Sequence, residues 1–380
     1  MDSDDNFDDI RPFRDEEVPE VLRRLWNSKW LISGLRTVFI PRIPGIFKPV
    51  FDWILRAYLG LKLKNIQTVE DFQRKIIVDT LLHPMVKKTS SGLTYEGEEH
   101  LKRGEAYIFI SNHRDIVLDP ALLDYILNKN NLAMAQVAFG DNLLFNDAIS
   151  DLIRINRGVI VKRNLRTREQ FRESIRLSSY FRKVIEGGES IWIAQSAGRS
   201  KDGMDVTNPA ILKMLHFSYR KEKLSFREFL SRVKIVPVSI SYEYDPCDRM
   251  KAWEIHRKRT RGEHKKRKYE DLLSITTGMK GFKGKVHYKF SEPLGPDYED
   301  EKELASAIDE RIQKGYKLWS TNFIAYDIVH NTDLFDKSYS EFEKQRFYMR
   351  FRRLSRDIRQ ILLEAYSNPV VNKMMYGKKT

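Results

Sequence analysis

The stretch Tyr107-Ile-Phe-Ile-Ser-Asn-His-Arg-Asp-Ile-Val-Leu-Asp-Pro120 joins a short apolar run to a group of polar side chains. Residues 107–110 are typical of a buried strand, and residues 119–127 have the apolar spacing of a helix with proline in its first turn. His113 is therefore expected at the carboxyl end of a strand, the edge where α/β sheets place their functional sites. An aspartate bonded to one imidazole nitrogen would leave the other nitrogen basic, as a general base requires.

Short apolar runs continue to alternate with longer helical patterns from about residue 90 to residue 294. This alternation predicts an α/β fold with a central, mainly parallel sheet and helices on both faces. We expect a helical N-terminal region (1–89) suited to membrane docking, an α/β domain (90–300) and a helical C-terminal region (301–380). The predicted strands are 106–111, 133–139, 159–162, 190–195, 234–242 and 285–290, and the predicted helices are 17–30, 47–61, 68–86, 120–127, 147–154, 168–186, 209–219, 301–319 and 339–366.

Charge and composition restrict the partners. A formal net charge of +14 on 380 residues indicates nucleic acid, acidic lipid headgroups or a phosphorylated substrate. The sequence has no RNA-binding pattern of interleaved aromatic residues and glycines, so no nucleic-acid partner is expected. Cys247 is the only cysteine and the histidines lack metal-ligand spacing, so we expect neither a disulfide nor a metal site. The densest basic run, 256–268, is interpreted as a solvated loop or helix face.

The N-terminal region combines apolar and basic residues without a membrane-spanning segment. The acidic start does not resemble a secretory signal, and the apolar region 34–63 is interrupted by charges and prolines. One apolar stripe in the predicted helix 47–61 is interpreted as packing on the domain core. Its members are Phe51, Ile54, Leu55, Tyr58 and Leu59. The alternative, a helix lying in the headgroup layer, is supported by Trp26, Trp30 and Trp53 among basic residues.

Two other enzyme classes have short catalytic motifs that resemble parts of this sequence. His-Arg-Asp occurs in protein-kinase catalytic loops, but those loops need an asparagine where Pro120 stands, and no Asp-Phe-Gly follows. Ala194-x-Ser196-x-Gly198 is one glycine short of the nucleophile elbow of serine hydrolases, which runs directly into a helix. Residues 199–203 have the composition of a loop, which disfavours that arrangement. A serine hydrolase using Ser196 is kept as one alternative.

Four motifs follow one another in the α/β region, each at the end of a predicted strand or beside one. Together they resemble the glycerolipid acyltransferases, the glycerol-3-phosphate and 1-acylglycerol-3-phosphate acyltransferases, whose blocks are NH-x4-D, G-x-x-F-I-x-R, E-G-x-R-S and V-P-V. The resemblance covers roughly residues 95–294. The motifs are Asn112-His113 with Asp119 (first), Gly158 to Arg163 (second), Gly198-Arg199-Ser200 (third) and Val236-Pro237-Val238 (fourth).

The resemblance implies transfer of a fatty acyl group from an acyl thioester to the hydroxyl of a phosphorylated glycerol, in phospholipid synthesis. His113 would take the hydroxyl proton, Asp119 would orient the imidazole, and Arg163 and Arg199 would hold the acceptor phosphate. The co-substrate would be acyl-CoA or acyl-carrier protein, with no cofactor and no metal. The enzyme would be cytoplasmic and peripherally attached to the inner face of an anionic membrane. The other predicted substrate-binding residues are Arg114, Gly198, Ser200 and Lys201.

The sequence departs from the family pattern in three places. Five residues instead of four separate His113 from Asp119, so Asp115 competes as its partner, although the helical pattern after Asp119 favours the latter. In the second motif, Arg157 stands where the family has glycine. In the third, Ala197 replaces the family's glutamate, and one intervening residue is lacking. Loss of that carboxylate among cations predicts altered acceptor binding or lower activity. A catalytically weakened lipid-binding relative is therefore a second alternative.

Overall fold

The computed structural model describes residues 7–39, 43–163, 165–267 and 269–377. The chain divides into two compact units, the first formed by Met1–Pro84 with Ala135–Tyr180 and the second by Met85–Met134 with Phe181–Thr380. Both units contain helices and parallel strands, so the predicted α/β class is confirmed. The segment boundaries at residues 89 and 300 stay predictions.

The elements follow one another as alternating strands and helices between two helical ends. The strands are β1 (Gly92–Glu96), β2 (Ile108–Ser111), β3 (Gln136–Gly140), β4 (Gly158–Val161), β5 (Ile191–Ala194), β6 (Ile235–Tyr242) and β7 (Lys285–Phe290). The α-helices are α1 (Val18–Asn27), α2 (Lys29–Phe39), α3 (Lys48–Leu63), α4 (Val69–Asp71), α5 (His83–Thr89), α6 (Leu118–Lys129), α7 (Asp147–Ile155), α8 (Thr167–Glu186), α9 (Pro209–Arg220), α10 (Phe226–Arg232), α11 (Asp248–Arg261), α12 (Glu270–Lys280), α13 (Glu301–Gly315), α14 (Ser320–His330), α15 (Glu341–Phe351) and α16 (Arg356–Gly377). A π-helix, Phe72–Leu82, joins α4 to α5.

The six predicted strands are present as β2 to β7, with small shifts at their ends. The edge strand β1 was not predicted because its residues alternate between exposed and half-buried positions and form no apolar run. The predicted helix 17–30 is divided into α1 and α2 by extended backbone at Ser28. Helices α10, α11, α12 and α14 were also not predicted, and α11 holds the first half of the basic run.

The first unit combines a helical N-terminal part with the parallel pair β3 and β4, which is in register from Val137 opposite Gly158. Side chains of α1, of the π-helix and of α7 share one apolar core. The Asn146 side chain accepts a hydrogen bond from the backbone N–H of Ile149 (3.0 Å) and so caps the start of α7. The buried members of this core are Val18, Val21, Leu22, Leu25, Ile66, Val69, Phe72, Ile76 and Ile155.

The second unit contains five strands in the order β1-β7-β6-β2-β5, parallel except for the antiparallel pair β6 and β7. The predicted mainly parallel sheet is therefore confirmed. β2 pairs with β6 on one side and β5 on the other, and all four of its residues are buried. A strand covered on both faces is expected to be continuously apolar, as Ile108-Phe-Ile110 is. The chain leaving β2 therefore starts from a rigid, central position.

The exposed face of α3 differs from the sequence interpretation. Only Leu55 of the five stripe residues is buried, whereas the side chains of Ile54 and Tyr58 are 49% and 47% exposed. The interpretation that the stripe packs on the domain core is therefore wrong for Ile54 and Tyr58. None of the helices in the described ranges combines the length and apolar character that crossing a bilayer requires.

Candidate active site

His113 lies two residues beyond the end of β2, and Asp119 lies in the first turn of α6. The imidazole Nδ1 is 2.8 Å from Asp119 Oδ2, with the histidine side chain 12% exposed and the aspartate side chain fully buried. An ionised carboxylate can only accept hydrogen bonds, so Nδ1–H donates to it. Nε2 is then the nitrogen left with a lone pair to accept a proton. This is the contact predicted from the first motif, and the catalytic role of the pair stays a prediction.

The Asp119 carboxylate has several further donors. Its Oδ2 accepts hydrogen bonds from the backbone N–H groups of Arg114 (2.5 Å) and Asp115 (2.8 Å). Its Oδ1 accepts one from the Tyr242 hydroxyl (3.0 Å). The five residues between His113 and Asp119 thus form a turn that directs two N–H groups at the carboxylate. These bonds fix the orientation of the carboxylate and, through it, of the imidazole.

Asp115, the competing partner of His113, serves the start of α6 instead. Its Oδ1 accepts hydrogen bonds from the backbone N–H groups of Val117 (3.1 Å) and Leu118 (3.0 Å). A Cβ atom on Gly278 of α12 would lie 2.0 Å from Asp115 Oδ2, so only glycine permits this close approach. Burial, and then the nearby charge of Asp119, raise the pKa of Asp115.

Sequence reasoning assigned no role in the site to three residues that support this turn. The Asn112 amide exchanges two hydrogen bonds with Ile240 of β6, donating to its carbonyl (2.9 Å) and accepting from its N–H (2.7 Å). Tyr288 of β7 donates to the backbone carbonyl of Asp119 (3.0 Å). Burial raises the pKa of the Tyr288 hydroxyl and of the Tyr242 hydroxyl well above the ordinary value, so both remain donors. The sequence signal for Asn112 was its place in the first motif. For the two tyrosines it was only a position in a predicted strand, at the end of 234–242 and inside 285–290.

The third motif follows β5 and runs beside the backbone of His113. The N–H of Ser200 donates to the His113 carbonyl (2.7 Å), and Gly198 has a φ of +87°, a conformation that favours glycine. The half-buried Arg199 side chain donates to the Ser274 hydroxyl. Lys201 Nζ lies 3.1 Å from Glu254, and burial lowers the pKa of this lysine.

Arg114 points into the interior. Its guanidinium forms an ion pair with Asp205 and lies over the ring of Tyr316, 5.2 Å from the ring centre. Burial alone would lower the pKa of Arg114, but the charge of Asp205 holds it above its ordinary value. Substrate contact by Arg114 stays a prediction. In the structure its guanidinium is paired with the buried carboxylate of Asp205.

The second motif belongs to the first unit. Arg163 is exposed, and its N–H donates to Asp141 Oδ2 (3.2 Å). Its guanidinium lies against Gly140, where an added Cβ would be 2.8 Å from Nε. Arg157, which stands where the family has glycine, has a φ of 57°. The left-handed backbone that glycine normally occupies is therefore adopted here by arginine.

Ser196 does not lie in a nucleophile elbow. β5 ends at Ala194 and no helix begins before α9 at Pro209, although every residue between them is described. An elbow requires a strand that turns sharply into a helix so that the serine is presented at the turn. The geometry needed by the hydrolase alternative is therefore absent.

Among the described residues, one group has donors placed for a metal ion, with Glu254, His264 and Glu270 atoms all within 4.8 Å of one another. Glu254 is already contacted by Lys201 (3.1 Å) and Lys258 (3.2 Å). His264 Nε2 is 2.8 Å from Glu270. Cations that already neutralise a carboxylate oppose binding of a further cation there, so we assign no metal to this group.

A small cavity lies in the second unit next to the third motif. It holds about 40 Å³ and is lined mainly by polar and charged side chains, Arg114, Ser200, Lys201, Tyr242 and Asp245 among them. The Nε of Arg114 and the hydroxyl of Ser200 are buried without a protein partner. Such a volume suits one or two waters that would satisfy these groups.

Comparison with known proteins gives a match to a family model and a likeness to solved structures. Residues 92–241, which contain all four motifs, match the family model described as Acyltransferase. The chain is also similar to the crystal structure of the 1-acyl-sn-glycerophosphate (LPA) acyltransferase, PlsC, of Thermotoga maritima. That likeness has 17% identity and a TM-score of 0.39, and covers 78% of this chain and 93% of the other. No curated protein matches the chain.

Proposed function

Because residues 92–241 form a domain of the acyltransferase family, we propose that the protein transfers a fatty acyl group from an acyl thioester to the hydroxyl of a phosphorylated glycerol. The observation that carries this proposal is the 2.8 Å contact between His113 Nδ1 and Asp119, which leaves Nε2 as a base. The acceptors are glycerol-3-phosphate or lysophosphatidate, and the reaction belongs to phospholipid synthesis. Acyl-CoA or acyl-carrier protein is the donor, and no cofactor takes part.

The proposed reaction needs one proton carrier. Nε2 of His113 removes the proton of the acceptor hydroxyl as its oxygen attacks the thioester carbonyl carbon. The carbon–sulfur bond then breaks, the ester forms, and the imidazolium returns the proton to the leaving thiolate. Asp119 stabilises the positive charge on the imidazole between these two steps. The acyl group therefore passes directly from donor to acceptor without an acyl-enzyme.

Binding of the acceptor phosphate is proposed for Arg199 of the third motif and for Lys201, which follows the motif. Arg199 and Lys201 lie on the loop whose Ser200 N–H bonds to the backbone of His113. Their present partners are a serine hydroxyl and one carboxylate, which a doubly charged phosphate can replace by charge-assisted hydrogen bonds. Gly198 and Ser200 shape the same loop. The phosphate-binding role of Arg163, in the first unit, is carried over from the second motif.

Attachment to an anionic membrane surface is proposed for the first unit. The side chains of Ile46, Phe47 and Trp53 are 81%, 58% and 71% exposed around the start of α3. Exposed apolar residues grouped in this way mark interaction surfaces, and the net charge of +14 favours anionic lipids over zwitterionic ones. We accordingly propose a cytoplasmic enzyme held peripherally at the inner face of a membrane, with no nucleic-acid partner.

The test is an acceptor screen with one labelled acyl-CoA, comparing glycerol-3-phosphate, lysophosphatidate and neutral lysolipids. We expect product only with the phosphorylated acceptors, and a fall in kcat of roughly 10²–10⁴ for His113→Ala, the usual contribution of a general base. His100→Ala is the matched control, because His100 belongs to none of the four motifs, its ion-pair partner is Glu99 (3.9 Å) and its side chain is 31% exposed. Transfer only to neutral lysolipids, or undiminished turnover by His113→Ala, would refute the proposal.

A catalytically weakened lipid-binding relative is the second candidate, favoured by Ala197 in the third motif and by the exposed start of α3. It predicts that vesicles bind the protein while no phosphorylated acceptor gives product. Ala197→Glu restores the family carboxylate at an exposed position. A gain of transfer in this variant from a zero background would support the weakened relative, whereas ready transfer by the unmodified chain would exclude it.

A further inference from the structure

The first part of the loop that carries the third motif, residues 198–207, is attached on two sides within the second unit. On one side, the N–H of Ser200 donates to the His113 carbonyl (2.7 Å). On the other side, two asparagines of α16 donate to backbone carbonyls of the loop, Asn368 to Asp202 (2.7 Å) and Asn372 to Gly203 (3.0 Å). The C-terminal helix thus holds the backbone next to Arg199, Ser200 and Lys201.

Gly203 meets α16 where the helix has lost a hydrogen bond. Pro369 lies inside α16 and has no N–H, so the carbonyl of Ala365, four residues earlier, receives no helical hydrogen bond from it. A Cβ atom on Gly203 would lie 2.4 Å from this carbonyl oxygen and 3.2 Å from Cδ of Pro369. Gly203 also has a φ of +79°, which L side chains rarely adopt. Gly203 of the loop and Pro369 of α16 therefore pack closely, and a side chain at residue 203 would not fit between them.

The last part of the loop is held by α13. Asp309 accepts hydrogen bonds from the N–H (2.7 Å) and the hydroxyl (2.6 Å) of Thr207, and Gln313 donates to the carbonyl of Asp205 (3.0 Å). All four side chains involved are buried. The loop is therefore held by His113 at Ser200 and by α13 at residues 205 and 207, and α16 holds residues 202 and 203 between these two attachments.

We propose that Asn368 and Asn372 are positioning residues for the acceptor subsite, and that α16 sets the position of Arg199 and Lys201 through the backbone of residues 202 and 203. This inference rests on the proposed function for what the loop binds, whereas the attachment of the loop stands on the contacts alone. Neither asparagine touches the reacting atoms. Their loss affects binding of the phosphorylated acceptor more than binding of the acyl thioester.

The experiment compares Asn368→Ala and Asn372→Ala with Met375→Ala, an exposed position of the same helix. Loss of one hydrogen bond to a backbone carbonyl predicts a rise of about 5-fold to 10-fold in the KM for the acceptor. The KM for acyl-CoA stays within about 2-fold, a split that a general loss of stability would not produce. Amide hydrogen exchange of residues 199–206 becomes faster in both asparagine variants and not in Met375→Ala.

Pro369→Ala provides a variant that favours folding of the helix. It restores an N–H that can bond the Ala365 carbonyl, and alanine has the higher helix propensity. We expect an unchanged or higher Tm together with a raised acceptor KM, because the contact with Gly203 is altered.

Two outcomes would overturn the inference. Unchanged exchange of residues 199–206 would show that α16 does not hold the loop. Faster exchange with equal changes in both KM values would show that the loop is held but does not position the acceptor subsite. A wild-type protein that acylates no phosphorylated acceptor would refute the proposed function separately, since the exchange measurement does not depend on activity.

Discussion

The turn from His113 to Asp119 buries polar side chains, whereas the start of α3 exposes apolar ones. In the turn, a fully buried carboxylate is bonded to an imidazole, two backbone N–H groups and a tyrosine hydroxyl. At the start of α3, Ile46 and Trp53 are 81% and 71% exposed. A buried charge without partners is expensive, so the turn tolerates only one arrangement of donors. Exposed apolar side chains impose no such geometry, and they gain free energy only when another surface covers them.

This contrast predicts that changes in the two regions separate catalysis from attachment. A substitution in the turn should lower turnover without changing the affinity for vesicles. One at the start of α3 should lower that affinity without changing turnover on soluble substrates. A residue that altered both would contradict the assignment of separate tasks.

The largest effect is expected when the two aspartates of the turn are compared. Asp119→Asn should lower kcat by roughly 10²–10⁴, because an amide facing Nδ1 no longer enforces the tautomer with a basic Nε2. Asp115→Asn should leave kcat within about 3-fold and cost about 1 kcal/mol of stability, as expected for a residue that caps a helix start. Steady-state kinetics and thermal unfolding of both variants check this. A larger kcat effect at Asp115 would reverse the assignment.

The next effect concerns the apolar start of α3. Phe47→Ser with Trp53→Ser should weaken binding to anionic vesicles by roughly 10-fold or more, since burying a large apolar side chain contributes about 1.5–3 kcal/mol. The Tm should hardly change, because both side chains are more than half exposed. Trp253→Ser is a matched control with a tryptophan that is 45% exposed in the second unit. Co-sedimentation with vesicles gives the measurement, and equal losses for the double variant and for Trp253→Ser would argue against a dedicated surface.

The acyltransferase family predicted from four motifs is confirmed for residues 92–241. The contact between His113 and Asp119 was also expected, because both lie in one short stretch with a strand before it and a helix within it. The supports of that contact and of the loop that carries the third motif were not predictable. Tyr242 lies 123 residues from Asp119, and Asn372 lies 169 residues from Gly203. A pattern within one stretch says nothing about which distant side chain will fold against it.

Arg114 is a second residue whose contact depends on a part of the chain far away in the sequence. Substrate binding by Arg114 was predicted because it stands beside His113, and that role stays a prediction. The ion pair of its guanidinium with Asp205, 91 residues further along the chain, had no signal in the sequence. The exposure of α3 was misjudged for a related reason. An apolar stripe has the same spacing whether it faces a core or a partner, so periodicity alone cannot distinguish the two.

A smaller effect tests the second motif in the first unit. Gly140→Ala places a Cβ atom 2.8 Å from Nε of Arg163 and 2.4 Å from the Asn142 side-chain oxygen, so both side chains must move. If Arg163 binds the acceptor phosphate, the acceptor KM should rise several-fold, by less than the loss of the whole guanidinium in Arg163→Ala. Gly34→Ala, where a Cβ meets no atom within 4 Å, is the control. An unchanged KM in both Gly140→Ala and Arg163→Ala would remove Arg163 from the substrate site.

The smallest effect is expected on the pH dependence of stability, at a buried cation of the second unit. Lys283 is 1% exposed, and burial lowers its pKa to about 8. Its ammonium donates to the Thr89 hydroxyl (2.8 Å) and the Gly281 carbonyl (2.8 Å). In the unfolded chain the pKa returns to about 10.4, so between these values the unfolded state holds a proton that the folded state has lost. Stability from this group therefore rises with pH from about 8 to about 10.4 and is constant below that window.

Lys283→Met removes this linkage, so the difference in Tm between wild type and variant should be flat from about pH 6 to 7.5 and should rise in favour of wild type from about pH 8 to 10. Lys280→Met is the control, because Lys280 is exposed on α12 and its charge is solvated in both states. A constant difference across the whole range would mean that Lys283 keeps its proton in the folded protein. The hydrogen bonds from its ammonium would then offset the effect of burial, and this part of the second unit would tolerate a buried charge as fully as the turn around Asp119 does.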